Sequence, residues 1–74
     1  MKAAKSDIKK MLLLYMIQAD IGTSFLELAR QTGIDYQRLN KRLADPHSFT
    51  VFELISLNDV LHLNDEDLLK IIRG

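Results

Sequence analysis

Two tetrapeptides, Ser24-Phe25-Leu26-Glu27 and Thr50-Val51-Phe52-Glu53, spell the same start signal. In each, the hydroxyl of the first residue can accept the backbone N–H of the fourth, and the fourth residue's carboxylate can reach back to the first residue's N–H. A chain carrying this signal twice must begin a helix at both places. Between them, Gly33 supplies the positive φ that stops a helix, and Asp35 caps the next one. Pro46 then forbids a continuous helix through that point. Helices are therefore expected at about 24–32, 35–44 and 50–62.

The flanking segments read the same way. Ser6 is the expected cap of a first helix at about 6–20, with Ile8, Met11, Leu12, Tyr15 and Ala19 as its buried stripe and Gly22 as its stop. Leu13, Leu14, Met16 and Ile17 widen that stripe beyond what one face needs, so part of this surface is a candidate partner surface. Asn64 caps a fifth helix at about 65–73. Asp65, Glu66 and Asp67 fall in its first turn and Lys70 and Arg73 near its end, the arrangement the helix dipole favours. Three apolar pairs, Ile34 with Leu39, Phe49 with Leu54 and Leu63 with Leu68, are placed as hydrophobic staples. The face of the fourth helix expected to be buried is Val51, Leu54, Ile55, Leu57, Val60 and Leu61. No segment alternates apolar and polar residues over a strand length, and no Asn-Gly or Asp-Gly hairpin turn occurs. The reading is a single all-α domain, residues 1–74, of five helices.

Composition closes off several function classes. At 74 residues there is room for one small core, and 47% apolar content is too high for intrinsic disorder. The absence of cysteine removes disulfides and thiolate metal sites, and fits a cytoplasmic setting. The longest apolar run, Met11 to Ile17, is far short of the ~20 residues of a membrane span. No small-residue cleavage site follows the lysine-rich start, so it reads as a mature helix. His47 and His62 stand 15 positions apart with no ligands clustered around them, so no metal is expected. Ser24 and Ser56 lie in no nucleophile motif, and no enzyme activity, cofactor or small-molecule ligand is expected.

Net charge is zero but unevenly spread. Residues 1–10 carry net +3, and so do residues 30–42, where Arg30, Arg38, Lys41 and Arg42 stand against Asp35. Residues 43–69 hold six acids and no Lys or Arg. A local basic patch holds phosphates even on a neutral molecule. In the third helix Leu39 and Leu43 form a narrow inward stripe, while Tyr36, Gln37, Arg38, Asn40, Lys41 and Arg42 cover the rest. Ala29 is small enough for the second and third helices to cross closely. A polar helix projected by such a helix-turn-helix fits the major groove of B-DNA.

The order Ser24-Phe-Leu-Glu-Leu-Ala-Arg-Gln-Thr-Gly-Ile-Asp-Tyr-Gln-Arg-Leu39 resembles the helix-turn-helix of the phage lambda repressor and Cro family. The matching marks are the Ser24 cap, the Leu28-Ala29 pair, Gly33, Ile34, the Asp35 cap and Leu39. The later stretch from Thr50 to Ile72 is similar to that family's fourth and fifth helices. The resemblance implies a five-helix lambda-repressor-like fold and sequence-specific binding of double-stranded DNA by a repressor-type transcriptional regulator. Its base-reading residues would be Tyr36, Gln37, Asn40 and Lys41. Its phosphate contacts would be Ser24, Arg38, Arg42, Ser48 and Thr50. It further implies a homodimer on a pseudo-palindromic operator. The chain departs from the family at Phe25, where a phosphate-clamping glutamine is usual, and at Leu43-Ala44-Asp45-Pro46, where Glu-x-Gly is common. Phe25 and the neutral total favour a second reading, a protein-interaction module such as an antirepressor or dimerisation domain docking through Phe25, Phe52 and the first helix. A third reading is the N-terminal part of a longer repressor, since Gly74 follows the fifth helix directly with no separate oligomerisation segment.

Overall fold

A computed structural model of the chain describes residues 5–73, with side chains from Asp7 onward. Among these residues there are five α-helices and no strand: α1 (Lys5–Gln18), α2 (Phe25–Thr32), α3 (Tyr36–Ala44), α4 (Val51–Leu61) and α5 (Asp65–Arg73), with a 3₁₀ turn at Pro46–Ser48 before α4. The all-α reading holds. α1 runs through the centre and packs on α3, α4 and α5, while α2 packs on α3 and α4. Ile8, Leu12 and Met16 of α1 meet Leu28, Leu39, Leu43, Leu57 and Ile71 in a core where each is essentially sealed from water.

The ends of α1 differ from expectation. Ser6 lies within α1, not at a cap position before it. The helix stops at Gln18 because the left-handed residue that closes it is Asp20, with φ +60°, two positions before Gly22, whose φ is also positive. The Asp20 N–H donates to the Ile17 carbonyl and the Ile21 N–H to the Met16 carbonyl, the paired bonds of a Schellman ending. The surplus apolar residues of α1 divide. Met16 is fully buried and Leu13 packs against the core, whereas Leu14 and Ile17 face outward.

The two start signals also part ways. At Thr50 the reciprocal box is complete: the Glu53 N–H donates to Thr50 Oγ1 (3.2 Å) and the Thr50 N–H to Glu53 Oε1 (2.8 Å). At Ser24 only half of it forms. Ser24 Oγ accepts the Glu27 N–H, but the Glu27 carboxylate turns along the helix to Arg30 and Gln31. Asp35 caps α3 through the Arg38 N–H and Asn64 caps α5 through the Asp67 N–H, both as expected.

On α4 the inward face is Glu53, Leu57 and Leu61, with Leu54 and Val60 half-buried. Val51 and Ile55, expected inside, are instead 70% and 51% exposed, and Phe52 is 82% exposed. The α4 sequence is apolar around most of its circumference. Thr50 fixes where the helix starts, and docking onto α1 and α2, which admits Leu57 and Leu61, fixes its rotation. On α5, Ile71 is buried, Leu68 half-buried, and Leu69 and Ile72 exposed. One tertiary clamp ties α5 to α1: the Tyr15 hydroxyl donates to Asp67 Oδ2 and accepts the Asn64 N–H at 3.2 Å. The hydrogen bond to Asp67 raises the Tyr15 pKa above the ordinary 10.0.

Candidate nucleic-acid interface

The α2–α3 corner is built from side chains that leave little freedom. Gly33 adopts φ +75° and donates its N–H to the Ala29 carbonyl. Thr32 supports the same turn: its hydroxyl donates to the Leu28 carbonyl at 2.9 Å and accepts the Ile34 N–H at 3.3 Å. Leu28, Ala29, Ile34 and Leu39 are all buried at this corner. α3 is thus held by its inner stripe, Leu39 and Leu43, and presents everything else.

Helical geometry, about 100° per residue, distributes the presented residues. Gln37 and Lys41 stand opposite the Leu39/Leu43 stripe, on the crest. Asn40, then Tyr36, fall on one flank, and Arg38, then Arg42, on the other. Tyr36, Gln37, Arg38, Asn40 and Lys41 are all exposed. The four residues named for base reading therefore share one continuous surface with Arg38 along its edge. Among the described residues neither Arg38 nor Lys41 is engaged in an ion pair, whereas Arg30 pairs with Glu27 at 3.1 Å.

The residues named for phosphate contact are more varied. Ser24 Oγ receives the Glu27 N–H, so α2 begins with the N–H groups of Phe25 and Leu26 at its open end. The Ser48 hydroxyl and N–H both donate to the Asp45 carbonyl (2.6 and 2.9 Å). Both polar groups of Thr50 are engaged in its capping box. Arg42 is partly buried, with its Nε 3.0 Å from Glu53 Oε1. Phe25, at the point of departure from the family pattern, packs half-buried against the core.

Sequence reading missed the role of Glu53. It is the one buried charged residue among those described, 7% exposed. Burial pushes its carboxyl upward. The Thr50 N–H and the Arg42 guanidinium outweigh that and hold it below the ordinary 4.5. The capping box at Thr50 predicted its bond to the Thr50 N–H, but nothing local predicted its bond to Arg42, 11 residues away.

Two shallow clefts adjoin α4. One, of about 180 Å³, is lined by Gly33, Asp35, Arg38, Phe52, Glu53 and Ser56. The other, of about 240 Å³, is apolar and formed by Val51, Leu54, Ile55, Leu68 and Ile72, with Asn58 at its edge. No described helix is long and apolar enough to cross a membrane, and no described group of three His, Cys, Asp or Glu residues is placed to hold a metal. Compared with known proteins, the chain matches no family model, no curated protein and no solved structure.

Proposed function

We propose that this chain is a lambda-repressor-like, sequence-specific binder of double-stranded DNA that regulates transcription. One observation carries the reading. A helix pair locked through Gly33, Ile34 and Leu39 projects a helix whose outward residues from Tyr36 to Arg42 are polar or basic, with Gln37 and Lys41 on its crest. That residue set suits base edges: glutamine pairs with adenine through two bonds, and lysine donates to guanine. Arg38, Arg42 and the α2 start at Ser24 lie beside it to hold the phosphate backbone.

A homodimer belongs to the same reading. Val51, Ile55 and Ile72 line one apolar cleft across α4 and α5, and Phe52 and Leu69 on the same two helices are also exposed. The acidic start and basic end of α5 favour antiparallel pairing with a second copy, which sets Asp65 and Glu66 against the second copy's Arg73. Two α3 helices about 34 Å apart would then read a pseudo-palindromic operator. Selection of bound sequences from a random duplex pool tests the function. The expected product is a short inverted repeat whose binding weakens steeply with salt.

The exposed Phe52 favours one other reading, a protein-interaction module such as an antirepressor. No retention on heparin or random duplex at low salt, together with stable self-association in sedimentation, would favour that module over the DNA binder.

A further inference from the structure

Arg42 and Glu53 form a joint that a phosphate contact alone does not require. Glu53 Oε1 receives the Arg42 Nε at 3.0 Å and the Thr50 N–H at 2.8 Å, so one oxygen ties the end of α3 to the start of α4. Glu53 Oε2 is buried with no donor among the described residues. Leaving a buried acceptor unpaired is costly. A glutamine or a small apolar residue there would avoid burying the charge. What the carboxylate adds is a charged anchor on one edge of the guanidinium. No protein acceptor among the described residues takes the two terminal nitrogens of Arg42, and neither is among the buried unpaired atoms. The side chain as a whole is 24% exposed. The guanidinium is thus pinned through Nε and open through its Nη pair, on the same flank as Arg38 one helical turn away.

We propose that Glu53 is a positioning residue that preorganises Arg42 as a phosphate clamp. The proposal rests on the DNA-binding reading above. An arginine with four free torsions gives up rotamer freedom when it engages a phosphate, and one already held on its inner edge gives up less. The planar fork then meets two phosphate oxygens with its orientation set in advance.

The test exploits a conflict of signs. Glu53→Gln keeps an acceptor for the Thr50 and Arg42 N–H groups but removes a negative charge close to the interface. If Glu53 were only a nearby carboxylate, its neutralisation would tighten DNA binding. If it positions Arg42, Glu53→Gln weakens binding about 3–10-fold, and the slope of log affinity against log salt falls by up to one contact's worth, ~0.9. Arg42→Ala should show the full slope loss. Adding Glu53→Gln to Arg42→Ala should weaken binding no further, because the effect runs through Arg42. Thermal unfolding of each variant confirms that the folded protein is being titrated. Unchanged or tighter binding by Glu53→Gln, or a loss that persists in the Arg42→Ala background, overturns the proposal while leaving DNA binding intact. A wild-type chain that binds no duplex at low salt overturns the DNA-binding reading, and this proposal with it.

Discussion

Substitution at the left-handed positions should move stability in opposite directions at two sites. Gly33 and His62 both end helices with positive φ, +75° and +53°. A Cβ built on Gly33 meets no atom within 4 Å, so Gly33→Ala adds no collision. Its cost is conformational alone. Holding an L residue in this region costs about 1–2 kcal/mol. Stiffening the unfolded chain returns about 0.4–1 kcal/mol. The net is about 1 kcal/mol, or a Tm about 4–8 °C lower for a domain of this size. Gly33→Asn should lose roughly half as much, since asparagine tolerates the region better. At His62 the argument reverses. Its side chain is exposed, so little packing is lost, and His62→Gly should raise stability by about 0.5–1 kcal/mol. Thermal and urea melts followed by circular dichroism measure both. A loss of several kcal/mol for Gly33→Ala would mean that the turn is crowded. A Gly33→Ala variant as stable as wild type, or a less stable His62→Gly, would refute the assignment of these backbone conformations.

Four other outcomes follow, the first from the proposed DNA binding and the rest from the geometry. Gln37→Ala should cost about 1–3 kcal/mol of DNA affinity at one base position and relax the sequence preference there, read by binding to a set of single-base operator variants. Tyr15→Phe removes the hydroxyl that bonds Asp67 and Asn64, and should lower stability by about 1–3 kcal/mol in denaturant melts. Because the folded Tyr15 pKa lies above the ordinary 10.0, its contribution is complete below that value and fades as pH rises through the folded value; Tyr15→Phe should lack this alkaline loss. Glu53 runs the other way. Its folded pKa lies below 4.5, so its contribution is complete above 4.5 and is lost as pH falls through the depressed value, an acid-side decline that Glu53→Gln should flatten in pH-dependent melts.

What the sequence made legible was local. Asp35, Thr50 and Asn64 each bond an N–H three residues away, so the starts of α3, α4 and α5 were readable from tetrapeptides. Gly33 was readable because few residues tolerate its φ. The stop at Asp20 escaped because Gly22, two positions on, is the more obvious turn residue and itself has positive φ. The buried face of α4 escaped for a different reason. Val51, Phe52, Leu54, Ile55, Leu57, Val60 and Leu61 encircle the helix, so periodicity selects no face, and Glu53 on the inward side runs against any apolar rule. On α3, two leucines among polar neighbours permit one orientation, and the candidate surface could be assigned residue by residue. The Tyr15–Asp67 and Arg42–Glu53 contacts join residues 52 and 11 positions apart, separations at which no short-range pattern operates.

The Tyr15 clamp has an optical consequence. The chain has two tyrosines and no tryptophan. Tyr15 touches a carboxylate only while α5 is seated on α1, and Tyr36 stands on the outer flank of α3. Hydrogen bonding to a carboxylate quenches phenol emission, so unseating α5 should brighten Tyr15 whatever happens at α3. A Tyr36→Phe protein would then report the last helix alone, and a Tyr15→Phe protein α3 alone. Two single-atom deletions would turn one small domain into a pair of independent spectroscopic gauges, one for the seating of α5 and one for α3.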